Sequence, residues 1–446
     1  MSVVGGENAV DTLNGWFKEL YASEEQKLVP EAAWIVKNIP FNKSEAGLGN
    51  LYHQPVVLTQ EQGFTYAGPA AGAFALNNPV SAILKDAQVQ GAQIMLRSQI
   101  DYESLARAAN TKASFGDASK LLVENMLEAM SKRLELMFIY GRSPGGVGVL
   151  GGSHTVATFQ LSTASWAPGL WAGMEGAVVH VLSVTGTYPS YTVGTRRNGV
   201  SGTIVVSVNF ATRTITVTAA SLTAAADGDI VVLFGTWSSA SGGTALTSGV
   251  ITFLEALGLD GMIQQASGTL FNIDIGTYKI FAGNNPAAVS ALSVTNLLSG
   301  LLPAIGKGLM EDVVCLCSNS AYQGLVSPVV DPVALGGSSN SKVGLHMNKN
   351  QSEDLRLGAK NITIVGQQGN ITVQPHLFLK DKDIFIFPKK RLMKVGATDV
   401  TFNTPGNKGG EFFLHLPSNA GYELRSYCNM GLFSPTVGRL TKMTLS

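Results

Sequence analysis

The residues best able to do chemistry are few, and their spacing argues against it. The six histidines stand at positions 53, 154, 180, 346, 376 and 415. None lies in H-E-x-x-H or another local pattern that would aim two ligands from one helix face at a metal. A Ser-His-Asp site is assembled in space rather than along the chain, and nothing in this sequence singles one out. Cys315 and Cys317 are two apart, which on a strand puts both thiols on one face. With no C-x-x-C and no second pair at zinc spacing they read as buried thiols, as does Cys428. Gly146-Val-Gly148-Val-Leu-Gly151 spells G-x-G-x-x-G, a loop that cradles a dinucleotide only between a strand and a helix. Here it follows a helical pattern and precedes SHTVATFQLSTAS, so a flexible hinge is expected. Lys380, Lys382, Lys389, Lys390, Arg391 and Lys394 form the densest basic run, interrupted by Asp381 and Asp383. It reads as a solvated face or an ion-pair strip, with nucleic acid as the lesser alternative. The N-x-S/T matches at Asn42, Asn361 and Asn370 matter only on a secretory route. No catalytic, cofactor-binding or metal site is assigned, and the expectation is a protein that is not an enzyme and needs no cofactor.

Composition points the same way. The 446 residues carry 31 Lys+Arg and 31 Asp+Glu, a formal net charge of zero. That balance argues against a polybasic nucleic-acid binder, which needs excess cations to displace counterions. Apolar residues are 45% of the chain, too many for a mainly disordered protein. No run of 18 or more apolar residues is present, so no transmembrane helix is expected. The start, MSVVGGENAVDTLNGW, lacks a basic and then apolar leader, so no secretory signal is expected. Charged residues are only 14%, against roughly 25% in an ordinary soluble domain. A surface that poor in charge suggests a chain hidden against partners, as in a large homo-oligomer.

The elements that would position a site are better marked. Residues 1–48 are polar, with scattered aromatics and only a short helix near Val10–Tyr21; they read as an N-terminal arm with too little apolar mass for a core. Residues 49–98 read as an extended hairpin loop, LYHQPVVLTQEQGFTY running out and AQVQGAQIMLRSQIDY returning with alternation at Val89, Ile94, Leu96 and Ile100. The Gly-, Ala-, Pro- and Asn-rich stretch between them suits a flexible tip. Within 99–150, Val123, Leu127, Met130, Leu134, Met137 and Phe138 recur at helical spacing. Ser114 and Asp117 make a capping-box-like start and Gly141 a stop. At about 1.5 Å per residue that helix is on the order of 35 Å long. Residues 151–270 hold eight charged residues against 54 in the other 326, and the runs VVHVLSV, GTIVVSV, RTITVTA and DIVVLFG predict strands. A β-rich insertion is expected over 151–265. Residues 266–396 return to mixed α/β, with a helical pattern through Val289, Leu292, Val294, Leu297, Leu298 and Leu301 and the buried strand VVCLCS. Residues 397–446 are extended. The fold class is α+β.

This order of parts resembles the major capsid protein of tailed bacteriophages, the Hong Kong 97-type shell fold. PVVLTQEQGFTY and DAQVQGAQIMLRSQIDYESLARAAN look like its extended loop, returning through Arg97, Ile100, Tyr102, Leu105 and Arg107. FGDASKLLVENMLEAMSKRLELMFIYG looks like its spine helix. LSVTNLLSGLLPAIGKGLMEDVVCLCSNSAYQGL looks like a helix, strand and turn of its axial domain, and YELRSYCNMGLFSP like a closing strand of its peripheral domain. Only 151–265 lies outside the resemblance.

The resemblance implies an arm over 1–48, an extended loop over 49–98, a peripheral domain over 99–150 and 397–446, and an axial domain over 266–396. It implies a structural protein whose hexamers and pentamers tile an icosahedral head around phage double-stranded DNA, held without sequence specificity and without a membrane. The place would be the virion, after assembly in the host cytoplasm. Implied partners are further copies of the chain, a portal protein, a cement or decoration protein and a separate scaffolding protein, since 1–48 has no long charged helical segment. An arm and a hairpin without their own core gain stability only on neighbours. Phe64, Tyr66 and Phe74 on the hairpin, and Trp16 and Trp34 on the arm, are candidate intersubunit anchors; the alternative for each is a contact inside its own subunit. Some members crosslink a hairpin Lys to a neighbour's Asn. Lys85 is the only Lys in the hairpin, but no pattern marks an acceptor, so that chemistry is not carried over. The rivals are an encapsulin-type nanocompartment shell, a β-rich phage tail or adhesion protein, and an enzyme with an unrecognised site.

Overall fold

The computed structural model describes residues 33–42, 51–69, 72–103, 118–218, 222–239, 249–330, 362–403, 413–415 and 421–446. The short helix expected near Val10–Tyr21, Trp16 and the Ser114/Asp117 start lie outside the described residues. Period-two alternation produces the first elements. Strands β1 (Tyr52–Val57) and β2 (Leu84–Val89) pair antiparallel, from Tyr52 opposite Val89 to Val57 opposite Leu84. After a turn at Gly91, β3 (Ala92–Asp101) leaves the hairpin and pairs along its whole length with strand Gly421–Phe433. That long strand also holds Met393–Thr401 and Phe413–His415, completing a four-stranded sheet. Every second residue of β3 is half-buried and the others are exposed, so one face is committed to the core.

Helical periodicity produces α1 (Trp34–Asn38) and α2 (Ala118–Tyr140). At ~1.5 Å per residue α2 is about 34 Å long. Met130, Leu134, Met137 and Phe138 are buried as the spacing predicts, but Leu127 is 40% exposed and Met126 takes the inner position. The first half of α2 is covered on one side only, whereas from Leu134 onward it is buried all round. Gly141 ends it because a Cβ there would collide with the carbonyls of Ala256 and Met137. Helix α1 lacks a cap of its own. The wholly buried carboxylate of Glu135 on α2 supplies one, accepting hydrogen bonds from the Ile35 and Val36 amides at 2.8 and 2.9 Å and meeting His376 Nε2 at 2.9 Å. Three partners satisfy a carboxylate that would be costly to bury alone.

The β-rich segment forms most of an eight-stranded sheet in the order Gly249–Val250, Ser190–Arg196, Val178–Thr187, Thr203–Asn209, Thr214–Val217, Thr158–Gln160, with Ile230–Leu233 and Gly148–Val149 joined alongside. It has no separate core on its inner face. Phe159, Val181, Val205, Ile215 and Val231 share one hydrophobic cluster with Met130, Leu134 and Phe138 of α2. The hinge expected at Gly146–Gly151 is instead packed. Gly146 has φ +51°, and a Cβ there would strike the Val231 carbonyl, because Gly148–Val149 pairs with Ile230–Val231 at close quarters.

A five-stranded sheet runs Ile362–Gly366, Gly369–Pro375, Val313–Cys317, Asp383–Phe387, Thr441–Thr444. Its central strands are nearly continuous apolar runs, as burial on both faces requires. Cys315 and Cys317 are buried free thiols on that sheet, and Cys428 is a third elsewhere. Helix Val294–Gly306 covers it with Leu297, Leu301 and Ala304, capped by Ser293, whose Oγ accepts the Asn296 amide at 3.2 Å. Val289 and Leu292 precede this helix, and Val289 bridges Leu445 instead. Where the sheet meets the end of α2, Lys442 Nζ lies 2.6 Å from Asp260 and 3.1 Å from Asp383, and Tyr140 donates to Asp383 at 3.1 Å. Burial alone would raise the Asp260 carboxyl; Lys442 and Lys380 outweigh it and hold that carboxyl below its usual range.

Candidate assembly interface

The hairpin is anchored at one end and bare at the other. At its base Ala87 and Val89 are buried, and Tyr52 meets the Phe433 ring edge-on at 5.7 Å. Phe271 packs on the same Phe433 at 5.0 Å, and its carbonyl accepts the Gln88 amide at 3.0 Å. Phe271 and Asn272 form a two-residue turn with φ of +48° and +65°. That conformation is rare for a bulky residue, and here it aims an aromatic at the hairpin base. Across the base, His53 and Gln88 hydrogen-bond the Asp86 carboxylate and hold it below its usual range.

Beyond Val57 and Leu84 the two arms stay together through a sparse ladder. Leu58 and Gln62 donate to the Ile83 and Val80 carbonyls, both at 2.9 Å. Side chains finish the work: Thr59 accepts the Ile83 amide, Thr65 accepts the Asn77 amide, and Asn77 donates to the Phe64 carbonyl at 2.7 Å. At ~3.3 Å per extended residue, Tyr52 to Thr65 spans about 40 Å. The tip foreseen as loose is therefore organised at least to Thr65 and Asn77.

Along this ladder apolar side chains stand in water. Phe64 is 66% exposed, Tyr66 89% and Leu76 79%, and Val57, Phe74, Val80 and Leu84 are exposed with them. A contiguous strip of this kind marks an interaction surface. The aromatics were legible as candidates. The aliphatic residues were not, although period-two alternation in β1 was the available signal. Trp34 lies elsewhere: its ring meets Phe387 of its own chain edge-on at 6.0 Å, with Lys389 Nζ 5.8 Å from its centroid, so it already serves the subunit's own packing. Lys85 is exposed on β2 opposite Val56, with no ion pair among the described residues. Phe64, Tyr66 and Phe74 are thus on one arm, and Trp34 is apart from them.

No other cluster competes. The basic run does not form one face. Lys380 is buried, its Nζ bonding the Gly146 carbonyl at 2.9 Å and lying 4.3 Å from the Tyr140 ring centroid. Lys394 is buried as well, donating to the Val36 carbonyl at 2.7 Å, and Arg391 pairs with Glu311 at 3.1 Å. Gly141-Arg-Ser143-Pro-Gly145 has the G-x-S-x-G spacing of a hydrolase elbow, but it follows a helix, and the buried Ser143 hydroxyl is bonded to Asp260. Among the described residues no group of three or more His, Cys, Asp or Glu could hold a metal, and no helix is long and apolar enough to cross a membrane.

No family profile matches the sequence and no curated protein does. Solved structures do match. The chain is similar to one from the cyanophage A-1(L) capsid asymmetric unit, with a TM-score of 0.54, 10% identity and 98% of each chain covered. It also aligns with the capsid of Myoviridae phage XM1 (TM-score 0.47, 8% identity, 99% of this chain and 100% of that one). A third match is the SrpI encapsulin of Synechococcus elongatus (TM-score 0.39, 10% identity, 98% and 95%). The mixed helix-and-sheet fold is that of a phage capsid protein, carried by the cyanophage match along nearly the whole chain.

Proposed function

We propose that the chain is the major capsid protein of a tailed bacteriophage, building an icosahedral head from hexamers and pentamers of itself. The observation that carries this reading is the anchored hairpin whose apolar tip has no cover in its own chain. An isolated subunit gains nothing from a strip of Phe64, Tyr66, Leu76 and Val80 in water. A lattice of copies buries that strip at every contact, and association then stabilises the fold by mass action. In this reading β1 and β2 are the extended loop and α2 is the spine helix. Residues 266–396 form the axial domain, and 397–446 close the peripheral domain. The arm over 1–48 and the insertion over 151–265 reach neighbours or a decoration protein. The head encloses double-stranded DNA in the virion, with a portal and a separate scaffolding protein as assembly partners.

Electron microscopy of the protein, expressed alone and with its neighbouring genes, tests this. Closed uniform shells or capsomer rings are the expected result, and DNA inside the shells distinguishes a phage head from a cargo compartment. A discrete monomer under all conditions would overturn the reading.

A further inference from the structure

A groove of about 640 Å³ runs beside α2 from Asn125 to Met137. Ile94 and Leu96 of β3 wall one side and Leu254 the other, over Met130 and Phe378. Two cations stand in it. Lys132 Nζ bonds the Ala172 carbonyl, and burial lowers its ammonium to about 8. Arg133 is half-buried beside Glu255 and makes no hydrogen bond among the described residues. An apolar trough with unused guanidinium donors fits an extended segment that brings aliphatic side chains and a carboxylate. Ala33 lines this same groove, and the chain around it is fixed by the Glu135 bonds to Ile35 and Val36. The residues before Ala33 therefore leave from inside it.

We infer that residues 27–32 of the same chain occupy this groove. The lengths agree: twelve helical rises of ~1.5 Å make about 18 Å, and six extended residues span about 20 Å. The segment reads Lys27-Leu28-Val29-Pro30-Glu31-Ala32. Pro30 holds Val29 extended and brings no amide that an apolar wall would leave unpaired. Leu28 and Val29 supply the apolar cover, and Glu31, two residues from Ala33, reaches Lys132 and Arg133. The contact lies within one copy, so it holds whether or not shells form.

Paired cysteines in the full chain test it. Val29→Cys with Ala129→Cys, under mild oxidation, is expected to give an intrachain disulfide that leaves the chain monomeric on a non-reducing gel. The native thiols do not interfere, because all three are buried. Two free, reactive thiols would overturn the inference. A disulfide-linked dimer would also overturn it, by assigning the groove to a second copy. A second measurement uses Leu28→Ser/Val29→Ser/Glu31→Gln. Acetic anhydride labelling of Lys132 should rise several-fold over the parent chain while the exposed Lys279 is unchanged; equal labelling of Lys132 in both proteins would overturn the inference.

Discussion

Phe64→Ala/Leu76→Ala separates contact energy from folding energy. Phe64 is 66% exposed and Leu76 79%, so most of each side chain is still available to be buried by a neighbour. Full burial of such a side chain is worth about 1.5–3 kcal/mol, and the uncovered share is then about 1–2 kcal/mol each. Together they remove about 3 kcal/mol from each contact the hairpin makes, or roughly a hundredfold in its association constant. The subunit itself should hardly notice, since exposed substitutions usually stay within about 0.5 kcal/mol. The assay is the concentration threshold for capsomer or shell formation, followed by light scattering and electron microscopy, beside a thermal melt of the unassembled subunit. The expected result is a threshold raised by about two orders of magnitude with an unchanged melt. A threshold unchanged within about threefold, less than 1 kcal/mol, would refute the tip as the contact. A melt lowered by many degrees would instead place these residues in the subunit's own core.

Replacing residues 59–82 by an Asn-Gly turn should leave a folded, soluble subunit that forms no shells, because the base contacts at Tyr52, Ala87 and Val89 remain; circular dichroism and electron microscopy check both halves. Excising 151–265 with a short linker should give an insoluble or molten product, since it strips Phe159, Val181, Val205 and Ile215 from the cluster around α2; a soluble, cooperatively melting remainder would contradict the shared core. Burial lifts the Glu255 carboxyl to about 7 against the opposing Arg142 amide and Arg133. The folded state thus holds this proton more tightly than the unfolded chain, so the contribution is fully present below pH 4.5 and lost as pH rises through 7. It amounts to about 3 kcal/mol at most. Glu255→Gln should flatten the melting temperature over that window, and an identical pH profile would show that the carboxyl is not responsible.

Much of this architecture was legible because its signals are local. Alternation in β1 and β3, the helical period of α2 and the apolar run of Val313–Cys317 each report a face committed to a core, and a face is a property of neighbouring residues. The candidate site was legible in part. Aromatics in a segment without a core stand out, but the exposure of Val57, Leu76, Val80 and Leu84 follows from what fails to cover them. The basic run misled for the same reason: spacing along the chain does not say that Lys380 turns toward Tyr140 and Lys394 toward Val36.

Sequence alone determined the element order, the anchored-hairpin design and the absence of any compact chemical motif, through periodicity and composition. Tertiary structure decided the partners. The Glu135 carboxylate meets the Ile35 amide 100 residues away and His376 at a separation of 241. The β-rich segment proved to share the core of α2 because its inner face finds its apolar partners there. Such pairings are set by which surfaces exclude water together once the chain has folded, and no local pattern encodes that choice.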